Sequence, residues 1–124
     1  MYQQFRVARL VTDLQKSAAL YEHGLGLRRV GSFEGHAGFD GVMLQGDSAE
    51  FHLEVTHCTT HPVQPNPTTE DMLVFYIPYR PSWEARCAAM LAAGFVEVQP
   101  FNPYWAQQGR TFQDHDGYLV VIQN

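Results

Sequence analysis

Along Phe51-His52-Leu53-Glu54-Val55-Thr56-His57, apolar and polar side chains alternate with period two. This predicts a strand with Phe51, Leu53 and Val55 on one face and His52, Glu54 and Thr56 on the other. The same division occurs upstream, where Phe5 to Val11 sets Phe5, Val7 and Val11 against Arg6, Ala8 and Leu10, with Arg9 breaking the alternation. Thr12-Asp13 then caps a helix whose Leu14, Ala18 and Tyr21 form an apolar stripe. Gly24 and Gly26 end it, because glycine tolerates the left-handed conformation that closes a helix. Leu27 to Phe33 reads as a second strand and Gly35-His36-Ala37-Gly38 as a loop. Gly41 to Gln45, the turn at Gly46-Asp47-Ser48 and the Phe51 strand read as a hairpin.

From His57 to Asp71 the prolines Pro62, Pro65 and Pro67 exclude both a strand ladder and a helix, so this stretch is a linker. The pattern then restarts. Met72 to Ile77 is a strand, Pro81-Ser82 opens a helix carrying Trp83, Cys87, Met90 and Leu91 on one face, and Gly94 stops it. Phe95 to Val98 is extended, Asn102-Pro103-Tyr104-Trp105 interrupts, and Thr111 to Gln113 pairs with Tyr118 to Ile122 across Asp114-His115-Asp116-Gly117. The halves share one order of elements: Arg6 falls opposite Met72, Gly26 opposite Gly94 and Glu54 opposite Val121, at offsets of about 66 to 68 residues. The expected architecture is α+β: two tandem βαβββ modules, about 5–57 and 72–123, joined by a linker of about 58–71 within a single domain. Helices take the oily faces of a curved mixed sheet, and the other faces line an open cup.

Composition narrows the function. With 124 residues, 45% hydrophobic and only 17% charged, the chain is expected to bury apolar surface against a ligand or a second subunit. A net charge of −5, with Lys16 the only lysine, argues against sequence-independent nucleic-acid binding. Cys58 and Cys87 form no C-x-x-C pair, so redox chemistry has little support. Neither a signal peptide nor a membrane span is legible, and the expected location is cytoplasmic.

The order of segments resembles the vicinal oxygen chelate superfamily, the glyoxalase, bleomycin-resistance and extradiol dioxygenase group. Arg6 to Leu14 resembles its opening strand and cap, and Tyr21-Glu22-His23-Gly24-Leu25-Gly26-Leu27 its helix-ending signature. Leu53-Glu54-Val55-Thr56-His57 is similar to the fourth strand of glyoxalase I, and Asp114-His115-Asp116-Gly117-Tyr118 to the turn before the last strand. The F-R-V-A-R opening and the N-P-Y-W segment resemble the small bacterial YycE-like proteins. The resemblance implies the two-module fold, a homodimer and, in metal-using members, ligands at four positions. Those positions here are Arg6, Glu54, Met72 and Val121, of which only Glu54 can ligate a hard divalent cation. No metal or other cofactor is therefore expected. His52, Glu54, His57 and His61 are dense in ligand types, but His57 falls on the face opposite His52 and Glu54 unless the strand bulges.

On that fold, parity places Arg6, Ala8, Leu10, His52, Glu54, Thr56, Met72, Val74, Tyr76, Leu119, Val121 and Gln123 in the cup. The expected role is metal-independent binding of a small organic ligand, with Arg6, His52, Glu54, Met72, Tyr76, Tyr104, Trp105 and Val121 as contacts. Two alternatives stand beside it. One is a glyoxalase-like lyase or isomerase, with or without a metal relocated to His52, Glu54, His57 or His61, in which Arg6 steadies an oxyanion while Glu54, with His52 or Tyr76 nearby, handles the proton. The other is a structural domain in which an Arg6–Glu54 ion pair merely fills space. Arg110 is a candidate second anion contact at the cup mouth, and Phe39, Phe101, Phe112 and Tyr118 are expected in the core or at an interface.

Overall fold

The computed structural model describes residues 1–47, 51–61 and 63–124. Ser48, expected in a hairpin turn, and Pro62, expected in the linker, lie outside the described residues. The chain divides into two compact units, Met1–Pro65 and Asn66–Asn124.

The first unit runs β1 (Arg6–Leu10), α1 (Leu14–Leu25), β2 (Arg28–His36), β3 (Phe39–Gln45) and β4 (His52–Cys58). Its four-stranded sheet has the order β1-β4-β3-β2, with β1 parallel to β4 and the other neighbours antiparallel. Asp13 caps α1 by accepting a hydrogen bond from the Lys16 N–H at 3.1 Å, and Gly26 closes it at φ 70°, where a side chain would be strained. Buried Ala18, Tyr21 and Leu25 of α1 and buried Leu53, Val55, Val42 and Leu44 of β4 and β3 make the core of this unit. The period-two alternation thus delivers one face of β4 to the helix and leaves His52, Glu54 and Thr56 on the other.

Two of the boundaries that differ from the sequence reading change which residues lie in strands around the site. The second strand extends to His36 instead of Phe33, so Ala37 and Gly38 alone make the turn; irregular pairing between Phe33 and His36 carries the strand past its last apolar residue. The fourth strand continues through His57 to Cys58, which removes both from the linker.

The second unit repeats the order with β5 (Met72–Tyr76), α2 (Arg80–Ala93), β6 (Val96–Val98), a short 3₁₀ turn (Pro103–Ala106), β7 (Gly109–Gln113) and β8 (Leu119–Gln123). Its sheet order, β5-β8-β7-β6, and its one parallel pair match the first unit's. Trp83 donates its indole N–H to the Ile122 carbonyl at 2.9 Å, fixing α2 against β8, while Cys87, Met90, Phe112, Val120 and Ile122 are buried. Leu91 leaves the helical stripe, being 45% exposed, and Phe101 at 75% and Phe39 are likewise surface residues rather than core. The turn before β8 is organised by Asp114, whose Oδ1 accepts from the Asp116 and Tyr118 N–H groups, both at 2.9 Å. Among the described residues no helix is long and apolar enough to cross a membrane.

Candidate functional site

The register of the first sheet assembles a polar face opposite α1. Parallel pairing sets Arg6 beside His52, Ala8 beside Glu54 and Leu10 beside Thr56, and antiparallel pairing adds Gln45 beside His52, Met43 beside Glu54 and Gly41 beside Thr56. Gly41 has a steric duty here: the Phe33 ring lies across it, and a Cβ at position 41 would overlap that ring. The face therefore carries an aromatic plate at one end and a hydrogen-bonded cluster at the other.

Arg6 Nη1 donates to Glu54 Oε1 at 3.0 Å, with the Arg6 side chain 43% exposed and that of Glu54 16%. Arg6 Nη2 lies 3.4 Å from His52 Nδ1, and Gln4 Nε2 also reaches that nitrogen. On its other side, His52 Nε2 is 2.6 Å from Gln45 Oε1. Arg6 offers only donors and the Gln45 oxygen only accepts, so the arrangement selects the tautomer with the proton on Nε2 and a lone pair on Nδ1. His52 is thereby a bridge between Gln45 and the Arg6 guanidinium. The partners Gln4 and Gln45 were not singled out from the sequence, although Gln45 was findable by counting back across the hairpin to the position facing His52.

Parity also separates the histidines. The β3–β4 register is regular, so His57 pairs with Asp40 on the helix side, where its Nδ1 lies 3.3 Å from the Val11 carbonyl oxygen, and His61 is exposed beyond the strand. No group of three or more His, Cys, Asp or Glu side chains fit to hold a metal occurs among the described residues. The divalent metal implied by the resemblance does not suit the side chains at its four positions. A guanidinium fixed 3.0 Å from Glu54 opposes a second cation there, while the Met72 thioether and the fully buried Val121 offer no hard donor.

In the second unit the equivalent face is mostly apolar and carries no charged side chain among Met72, Val74, Tyr76, Thr111, Leu119, Val121 and Gln123. Met72 pairs with Leu119, Val74 with Val121 and Tyr76 with Gln123, the last strand being wholly buried while Tyr76 is 67% exposed. Two oxygens on this face, Thr111 Oγ1 and Gln123 Oε1, are buried with no hydrogen-bond partner among the described residues. Tyr104 and Trp105 stack edge to face at 5.0 Å in the 3₁₀ turn, Tyr104 exposed and Trp105 half-buried.

Arg110 is not an anion contact at a cup mouth. It alternates with Thr111, so it leaves on the α2 side, where Nη2 and Nε grip Glu97 at 2.6 and 2.9 Å. Its guanidinium lies 5.5 Å from the Phe112 ring centroid. The hydrogen bond from Arg110 holds the Glu97 carboxyl below its ordinary value, and burial pushes the Cys87 thiol up against the opposing pull of the same arginine. On the helix side of the first unit a cleft of about 620 Å³ is bordered by Asp13, Arg29, Asp40 and His57, and Arg29 is engaged there by Glu22 and Gln15, both at 2.8 Å. None of Arg6, His52, Glu54, Met72, Tyr76, Tyr104, Trp105 and Val121 borders that cleft.

The YycE-like N-terminal domain family matches residues 5–56 and the YycE-like C-terminal domain family residues 70–124. The uncharacterized protein YycE of Bacillus subtilis is 38% identical over 121 residues, covering 98% of this chain and 87% of that protein. A 2.0 Å crystal structure of B. subtilis YycE, a protein of unknown function, superposes with a TM-score of 0.89, covering 98% of this chain and 88% of that one. At 15% identity, glyoxalase I of Leishmania major shares the fold with a TM-score of 0.75, covering all of this chain and 87% of that enzyme. The fosfomycin resistance protein FosX of Mesorhizobium loti does so at 11% identity and 0.72, covering 99% of this chain and 90% of that one.

Proposed function

The chain belongs to the YycE-like family of the vicinal oxygen chelate superfamily, and from that premise we propose that it is a metal-independent small-molecule-binding protein whose ligand docks on the Arg6–Glu54 face of the first sheet. The carrying observation is the Arg6–Glu54–His52–Gln45 cluster. It holds a guanidinium in one orientation on an accessible face, flanked by Leu10, Met43 and Phe33, which is the mixture of apolar wall and few convergent polar groups that small ligands use. By the resemblance, Arg6 takes one of the four positions that metal-using members give to a ligand, and its guanidinium supplies fixed positive charge without a bound ion.

The test is a thermal-shift screen of small aromatic and carbonyl compounds against the wild type and Arg6→Ala. Compounds that stabilise the wild type are expected to lose most of their effect on Arg6→Ala. Hits indifferent to both Arg6→Ala and Glu54→Gln would remove this face from consideration.

A second reading, a glyoxalase-like lyase or isomerase with Glu54 as general base, draws on one observation: Glu54 Oε2 accepts no hydrogen bond among the described residues. It requires Glu54→Gln to abolish turnover of an offered substrate while the fold persists, and retained turnover ends it. For assembly we propose a homodimer, supported by the low charge content and by exposed Phe101, Tyr79 and Val96; light scattering on a sizing column reads it directly.

A further inference from the structure

The geometry points to the polarity class of the ligand, and this step rests on the binding reading above: the Arg6–Glu54 anchor selects an uncharged group that carries a hydrogen-bond donor beside an acceptor, of which a primary carboxamide is the simplest. The argument starts from the charge on the face. Arg6 and Glu54 lie 3.0 Å apart and carry opposite charges, so together they are neutral. His52 meets the Arg6 and Gln4 donors with the lone pair of Nδ1, and Gln4, Gln45, Met43 and Ala8 are uncharged. Arg28, which pairs with Gln45 on the same face, is exposed and two strands away from Glu54, so solvent screens it and the adjoining Arg6–Glu54 pair dominates at the anchor. An arriving carboxylate is attracted by Arg6 and repelled by Glu54 at similar range, and an arriving ammonium meets the reverse. For either ion the two terms oppose each other, leaving its desolvation uncompensated.

What the pair does offer is unused hydrogen-bonding capacity of both kinds, side by side. Glu54 engages only Arg6 among the described residues, through Oε1, so Oε2 remains an open acceptor. Of the guanidinium's five N–H groups, Glu54 and His52 account for two contacts, and the side chain is 43% exposed. Ala8, directly across from Glu54 in the register and exposed, presents a single methyl group, which leaves room beside the carboxylate. A carboxamide satisfies both partners at once, its N–H on Glu54 and its carbonyl oxygen on Arg6. An ion of either sign satisfies one and opposes the other.

Three probes of nearly one shape test this by ¹H–¹⁵N NMR titration of the whole chain: benzamide, benzoate and benzamidine. Benzamide is expected to shift the amides around Arg6, Ala8 and Glu54 with roughly tenfold tighter binding than either ion. Glu54→Gln should reverse the preference towards benzoate, and Arg6→Gln towards benzamidine; each variant checks the other if one folds poorly. Benzoate or benzamidine binding the wild type at these residues more tightly than benzamide would overturn the polarity inference while leaving the binding reading in place. Failure of all three to move this face, with shifts elsewhere or nowhere, would overturn both.

Discussion

Replacing the Arg6–Glu54 pair by methionine, one residue at a time and then together, has consequences that follow from unequal burial. Arg6→Met strips Glu54, whose side chain is 16% exposed, of its only polar partner among the described residues. A charged hydrogen bond lost at a mostly buried carboxylate costs about 1–2 kcal/mol, less than for a fully buried ion because water still reaches it. Glu54→Met leaves Arg6 43% exposed and still beside His52, so the loss is that of a screened surface pair, about 0.5 kcal/mol or less. The double variant removes the mostly buried carboxylate together with its partner and is expected within about 0.5 kcal/mol of the wild type, giving a coupling energy of about 1–2 kcal/mol. Equilibrium urea unfolding of the four proteins, with slopes compared to confirm that the same surface is exposed, provides the measurement. A larger loss for Glu54→Met than for Arg6→Met, or a double variant that pays the sum of the singles, refutes the reasoning.

Other consequences are read more simply. Thr111 is 1% exposed and its hydroxyl oxygen has no partner among the described residues, so Thr111→Val, equal in shape, should stabilise by about 1 kcal/mol, or roughly 3–5 °C in Tm; destabilisation would show that the hydroxyl is engaged. Long-range ¹H–¹⁵N spectra should show His52 protonated at Nε2 and bare at Nδ1, with Gln45→Leu mixing the tautomers; a wild-type ring protonated at Nδ1 would contradict the cluster. Glu97 has its carboxyl pKa depressed by Arg110 in the folded state, so its contribution is present above the ordinary value near 4.5 and vanishes as pH falls through the lower folded value. Glu97→Gln should therefore be less stable than the wild type at pH 7, by under about 1 kcal/mol for so exposed a pair, and the two should converge in acid. A difference independent of pH excludes the ion pair as its source.

How far the sequence carried this picture depends on which physical signal each residue emits. The alternation through β4 and the repeat offset of about 66 to 68 residues give which side chains share a face and which positions correspond: Arg6 with Met72 on the first strands, and Glu54, beside Ala8, with Val121, beside Val74. Parity alone also kept His57 off the Glu54 face. Three things were missed, for different reasons. The extension of β2 depends on an irregular pairing that has no hydrophobic signature. The side of Arg110 was mistaken because β7 begins at Gly109, two residues before its apolar pattern does, and counting from Thr111 would have placed it. Gln4 and Gln45 emit no composition signal, and their importance appears only when both nitrogens of His52 are accounted for. The exposure of Leu91 shows the limit of a helical stripe, since α2 buries only the narrow line of Trp83, Cys87 and Met90.

The most direct test of the central claim, metal-independent binding, is the metal content of purified, untagged protein by mass spectrometry, before and after exposure to excess zinc, nickel, manganese and iron, with Glu54→Gln as control. The guanidinium at Arg6 and the soft or inert side chains at Met72 and Val121 predict metal well below one ion per chain, unchanged by Glu54→Gln. One ion per chain, lost in Glu54→Gln, would contradict the account and require Arg6 to swing away from Glu54.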